Sequence, residues 1–500
     1  MAVATIYTAQ GAVGGGIPVS VEADLSRGLH AFSIVGLPGK AVEEAKDRVN
    51  AAIKNSNFKA PKSQNHKIVI SLAPADMKKE GPLFDVPIAL AYLLAAKEIS
   101  IHTKQRMFVG ELSLDGSLRP VRGILPIAQA AEAHGYTELF VPAENAREAA
   151  LVEGVTVYAA DTLQDIITHC QHAAGSPTAH IPHTPITELA TEWSEGTVRL
   201  EDVKGQEQAK RALVIAAAGR HNILMIGPPG TGKTMLARAF QSILPPLSRK
   251  DALAVTAIHS LAGNTPDTLS TRPPFRTPHH TASHTALVGG GSNPRPGEVT
   301  LAHHGVLFAD ELPEFERRAI DALRQPLEDR VVSISRVQGS VTFPADFVLV
   351  AAMNPYRGAE DGTTDYTAAM TETYKNKISG PIIDRIDLWI PVPHVDYETM
   401  QAATTNHNET ETVRAQIQNA RSRMHARSGC PNSSLSARQL EETIILSDPV
   451  KELLKMSSAR LNLSPRSYHR VLKVARTIAD LDDRDEIQEA DVLEALQFRS

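Results

Sequence analysis

The densest chemistry in the chain lies in Gly227-Pro228-Pro229-Gly230-Thr231-Gly232-Lys233-Thr234. Gly227, Gly230 and Gly232 allow the backbone to fold back so that its N–H groups converge on an anion. Lys233 brings a positive charge to β- and γ-phosphates, and Thr234 a hydroxyl for Mg²⁺. The spacing is that of the phosphate loop, G-x-x-x-x-G-K-[ST]. A glycine-rich turn without a ligand would explain the glycines but not Lys233-Thr234 behind them. Gly305-Val306-Leu307-Phe308-Ala309-Asp310-Glu311 is an apolar run ending in two acids. Downstream of a phosphate loop, Asp310 is expected to complete the Mg²⁺ shell begun by Thr234, and Glu311 to polarise the attacking water. Asp346–Met353 is a further apolar run, and Asn354 at its end is placed to orient that water. An acidic pair is elsewhere often a helix cap, and Asn354-Pro355 alone reads as a turn.

These side chains need a frame. His221–Ile226 reads as the strand that leads into the loop, and Met235–Phe240 as the helix that leaves it. Leu200–Gly219 opens a new domain, with Glu201–Gln206 followed by a helix through Ala209, Leu213 and Ala216, and Leu213–Ala218 is almost wholly apolar. Val331–Phe343 alternates about Gln338-Gly339 and reads as a hairpin. Upstream, Ile17–Ala23, Ala31–Val35 and Lys67–Leu72 read as strands, and Lys40–Asn55 and Asp85–Lys97 as helices. Asp115-Gly116 marks a tight turn. Ala173–Glu195, with Pro177, Pro182 and Pro185, has no sustained period and reads as a linker. The expected domains are therefore 1–172, a linker 173–195, a nucleotide-binding core 196–394 and a helical region 395–500.

The 500 residues suffice for several cores, and 22% charged residues is ordinary for a globular protein. A net charge of −6 excludes a protein that coats nucleic acid by its global field, so any such contact must be local. Val86–Ala96 is too short to span a bilayer, which needs about 20 residues. Cys170 and Cys430 cannot form a disulfide framework. The expected compartment is the cytoplasm, with no membrane partner.

The first half resembles the proteolytic domain of Lon protease, of the ribosomal-S5-like α/β fold. The resemblance lies in Gly81-Pro82, Val109–Leu114 and Pro120–Ile124. Lon-type proteolysis uses a Ser–Lys dyad. Leu83 and Ile127 stand where those residues belong, so the domain is expected not to be proteolytic; a rewired dyad from Ser71 or Lys78 is the remote alternative. Arg272–His284, Gly289–Glu298, Leu312–Arg317 and Ile378–Asp387 make the chain resemble the magnesium-chelatase-like AAA+ ATPases. The fold class implied is α/β and multidomain: a Lon-like domain, an AAA+ α/β/α core and a C-terminal helical lid.

That resemblance implies a homohexameric ring using ATP and Mg²⁺. Arg385, in Asp384-Arg385-Ile386-Asp387, would be the finger that reaches a neighbour's γ-phosphate; a local ion pair with Asp384 or Asp387 is the bland alternative. Arg466 would be the lid's sensor arginine within its own subunit, with Arg470 as the alternative. Relatives of this type are implied to be helicases that drive branch migration when transforming DNA is integrated by homologous recombination. The implied partners are single-stranded and branched DNA, with recombination proteins beside them. Arg276, His279, His280, Arg336, Lys375 and Lys377 are the candidate DNA contacts; ordinary hydrogen bonding is the alternative for the histidines. The cysteine-rich knuckle usual after the Asn-Pro pair is replaced here by Tyr356–Gly362, so no zinc is expected there. A motor that remodels a protein partner through the Lon-like domain is the competing reading.

Overall fold

A computed structural model describes residues 3–171, 181–191, 193–194, 196–263, 271–291, 295–336, 339–354, 378, 380–395, 408–461 and 463–499. The chain forms two compact units. The first comprises Met1–Ala190 with Thr256–Leu269, the second Thr191–Val255 with Ser270–Ser500. The second half of the helix Arg249–Ala262 thus groups with the first unit, a detour that no composition change in the sequence announces. Among the described residues no helix is long and apolar enough to cross a membrane.

In the first unit, Ala4–Ala12, Gly15–Arg27, His66–Ala73 and Ala31–Val35 lie side by side in that order. The first three pair antiparallel and the last is parallel to its neighbour. Their alternate residues, such as Ile6, Val21, Ile70 and Leu72, are fully buried. The helix Asp85–Ala95 is buried along nearly its whole length, as its unbroken apolar run requires. Asp115-Gly116 does form a tight turn, with Gly116 at φ +92°, between the paired strands Glu111–Leu112 and Leu118–Arg119. Leu83 and Ile127 both lie in the apolar core, 6% and 0% exposed. Neither carries a group able to attack a carbonyl or accept a proton.

The second unit is built on five parallel strands in the order Phe275–Arg276, Val306–Ala309, Val348–Met353, Ile223–Ile226 and Leu388–Pro391. Continuous apolar runs suit a sheet covered on both faces. The side chains sort with a period of two. Ile223, Met225, Val306, Phe308, Val348 and Val350 enter one core. Leu224, Leu307, Ala309, Leu349, Ala351 and Met353 enter the other. The helix Glu207–Gly219 and the C-terminal helices Glu409–Ser428 and Pro465–Leu481 contribute to the first of these cores. The hairpin pairs Val331–Arg336 with Gly339–Pro344. A sheet of this kind takes its ligand beyond the C-terminal ends of the strands.

Candidate nucleotide site

The strand Ile223–Ile226 runs parallel to Val348–Met353, with Ile226 opposite Met353. The loop therefore begins at the C-terminal edge of the sheet, and the Gly227 N–H donates to the Met353 carbonyl at 3.3 Å. Gly230 and Gly232 stand at φ +79° and +91°, where an L side chain is strained, and a Cβ on either would meet nothing within 4 Å. The space over the loop is open, as a polyphosphate cradle needs. Gly232 caps the helix Lys233–Ser242, whose first N–H groups and dipole favour an anion. Lys233 is 7% exposed, and its Nζ donates to the Gly227 and Pro228 carbonyls, both at 2.8 Å. Burial lowers its pKa, and the fields of Asp310 and Glu311 act in the opposite sense. The Thr231 hydroxyl donates to Pro228 O at 2.9 Å and stiffens the loop.

Asp310 follows the strand Val306–Ala309, and the Thr234 hydroxyl donates to its Oδ2 at 3.1 Å. That pair forms the corner of oxygen ligands a Mg²⁺ ion needs. Glu311 adopts the left-handed region at φ +53°, ψ +46°, and its N–H donates to Asp310 Oδ1 at 3.0 Å. A non-glycine residue held there costs about 1–2 kcal/mol, and such strain concentrates at working sites. Asn354 follows Met353, hence next to the loop strand. The structure thus brings Lys233, Thr234, Asp310, Glu311 and Asn354 to one edge of the sheet.

Arg385 lies at the other edge. Asn222, one residue before the loop strand, donates from Nδ2 to the Arg385 carbonyl at 2.9 Å. Its backbone N–H donates to Asp387 Oδ2 at 3.0 Å. Five residue steps across the strand Ile223–Ile226 separate Asn222 from Gly227, about 17 Å at 3.3 Å per residue. Arg385 is 7% exposed and donates to Pro381 O and to Glu328, rather than to Asp384 or Asp387. Its buried Nε has no hydrogen-bond partner among the described residues. Burial lowers its pKa, with Arg466, Arg470 and Arg324 adding to the effect.

Arg466, expected beside the loop of its own subunit, instead donates to Glu328 Oε1 at 3.4 Å, on the same carboxylate that Arg385 holds. The two arginines line a cavity of about 290 Å³ with Arg330, Arg470 and Lys473, and none of residues 227–234 lines it. Arg470 is committed elsewhere, donating to Asp387 Oδ1 at 2.6 Å. The sequence could not have found Glu328, which sits at the end of the short helix Arg324–Asp329 with no motif around it.

Asp387 joins this cluster to the lid. Burial would raise its pKa, but Arg470, His221 and the Asn222 N–H together hold it well below the usual carboxylate range. Its contribution to stability is therefore present above the unfolded value of about pH 4 and is lost as pH falls through the folded pKa. Asp387→Asn should lower stability at pH 7 by about 3 kcal/mol. In urea titrations its deficit against the wild type should shrink below about pH 4.

The candidate DNA contacts are divided. Arg276 donates from Nε and Nη2 to the two carboxylate oxygens of Glu298, at 2.7 and 2.8 Å, so its charge is compensated within the subunit. His279 is exposed and bonds the Thr281 hydroxyl at 2.8 Å. His280 does not face outward as a free contact: its Nδ1 is 3.6 Å from Glu311 Oε2. The backbone of Arg336 ends the first hairpin strand, but its side chain lies outside the described residues, as do Lys375 and Lys377.

A phosphate loop, an acid pair and an adjacent polar residue on a five-stranded parallel sheet, followed by a helical region, define a P-loop ATPase of the AAA+ class. The family description "Magnesium chelatase, subunit ChlI" matches residues 199–400. "Subunit ChlI of Mg-chelatase" matches 21–145, and the ChlI C-terminal family matches 407–499. The chain is 43% identical over 487 residues to competence protein ComM of Haemophilus influenzae, covering 96% of this chain and 94% of that protein. It is 41% identical over 491 residues to the uncharacterized protein YifB of Escherichia coli, covering 97% and 94%. The magnesium-chelatase 38 kDa subunit of Cereibacter sphaeroides is 29% identical over 174 residues, 31% of this chain and 52% of that subunit. The chain belongs to the magnesium-chelatase-like AAA+ family, in the group of ComM and YifB.

Proposed function

We propose that the protein is a ring-forming ATPase that drives DNA branch migration while a transforming strand is integrated. The observation that carries the ring is the division of the site between two edges of one sheet. Lys233, Thr234, Asp310 and Glu311 gather at one edge, and Arg385 with Arg466 at the other. A homohexamer would bring the arginine edge of one subunit to the loop edge of the next. Both arginines would then serve the neighbour's site.

ATP would be held by residues 227–234 and Mg²⁺ by Thr234 and Asp310, supplying a phosphoanhydride whose cleavage releases energy. Lys233 would exchange its two carbonyl partners for phosphate oxygens. Glu311 would accept a hydrogen bond from the attacking water, with Asn354 beside it. Arg385 and Arg466 would meet the charge that develops on the transferred group.

The DNA assignment rests on the extended similarity to a competence protein. ATP turnover measured with and without single-stranded and branched DNA tests it. Stimulation is expected at low salt and should fall steeply as salt rises, because each phosphate contact releases a counterion. No stimulation at low salt would sink the DNA reading and favour a motor that remodels a protein partner, with the N-terminal unit as adaptor. The apolar Leu83 and Ile127 favour a binding role for that unit over proteolysis.

A further inference from the structure

His279-His280 lies just beyond the edge strand Phe275–Arg276, which pairs in parallel with the strand that delivers Asp310 and Glu311. That pairing carries the histidines toward the same edge of the sheet as the acids. His280 Nδ1 lies 3.6 Å from Glu311 Oε2, and the two side chains are 35% and 47% exposed. The His280 ring also packs on that of His279, with centroids 4.2 Å apart. His279 in turn is tied to Thr281, whose hydroxyl lies 2.8 Å from its Nδ1. The imidazole facing Glu311 is therefore backed by a second ring rather than swinging freely. Glu311 itself is held by strained backbone and by its N–H bond to Asp310, and its carboxylate faces His280.

From this geometry we infer that His280 is a positioning residue for Glu311: its Nδ1–H steers the carboxylate that orients the attacking water. The gap of 3.6 Å is within about 0.5 Å of a hydrogen bond. The inference rests on the hydrolytic role proposed for Glu311. A carboxylate with a fixed donor on one oxygen presents the other oxygen in a defined direction, and an error of about 1 Å in a reacting group can cost about a hundredfold in rate. His280 touches neither nucleotide nor water in this role and acts only through Glu311.

The test is steady-state ATP turnover with His280→Ala, His280→Asn and Glu311→Gln, each alone, and His280→Ala combined with Glu311→Gln. His280→Ala should lower kcat about tenfold to a hundredfold, with KM for ATP little changed. His280→Asn should recover most of that loss, because the asparagine amide places an N–H close to where Nδ1–H stood. Adding His280→Ala to Glu311→Gln should cost nothing more. An unchanged kcat in His280→Ala, equal losses in the Ala and Asn variants, or a change confined to KM would each overturn the inference. If Glu311→Gln itself retains normal turnover, the hydrolytic reading of Glu311 fails instead, whatever the histidine variants do.

Discussion

Arg385→Ala should lower ATP turnover by about three to five orders of magnitude, the worth of an arginine finger, while ATP binding stays near the wild-type value. The expectation follows from where the guanidinium sits. Arg385 is anchored through Asn222 at the start of the loop strand, and Lys233 stands past its end. Its own subunit's nucleotide therefore gains little from it. Glu328 accepts from both Arg385 and Arg466, which offsets part of the repulsion between the two like charges. Mixing separates a finger given to a neighbour from a residue that merely holds the fold. Lys233→Ala and Arg385→Ala subunits, each inactive alone, should regain turnover when combined, since some interfaces then pair an intact Lys233 with an intact Arg385. A mixture that stays inactive although both variants assemble would count against the shared site. Arg466→Ala should behave as Arg385→Ala in the same mixture, with a smaller loss, because its side chain is 66% exposed and its contact longer.

Glu311→Gln should retain ATP binding and lower turnover by about two to four orders of magnitude, the usual contribution of a positioned acid–base group. The amide keeps the size of the side chain, so the left-handed backbone at Glu311 and its N–H bond to Asp310 are undisturbed. What is lost is the negative oxygen that accepts the water's hydrogen bond. Thr234 and Asp310 remain 3.1 Å apart, so the Mg²⁺ corner survives. Equilibrium binding of a fluorescent ATP analogue together with single-turnover hydrolysis checks the claim. Equal loss of both would mean that Glu311 supports the loop rather than the chemistry.

Much of the loop edge was legible in the chain. Gly227–Thr234 are contiguous, and the chemistry of a phosphate cradle needs those residue types at that spacing. The acid pair and Asn354 follow apolar runs, which the structure places as parallel strands whose alternate residues enter two cores. Leu83 and Ile127 were equally readable, because an absent nucleophile needs no coordinates. The candidate DNA contacts fared less evenly. The sequence registers a positive charge at Arg276 but not the Glu298 carboxylate that compensates it.

The sequence by itself determined the phosphate-loop motif at Gly227–Thr234 and the acid pair at Asp310-Glu311, because local spacing along strand, loop and helix carries that information. Tertiary structure alone decided the grouping of the rest. Glu328 meets Arg385 across 57 positions and Arg466 across 138. His280 meets Glu311 only because an edge strand of two residues pairs beside the acid-bearing strand. Such contacts depend on strand order and on how the lid packs, and neither has a local signature. That is why the carboxylate that Arg466 shares with Arg385 had no sign in the sequence.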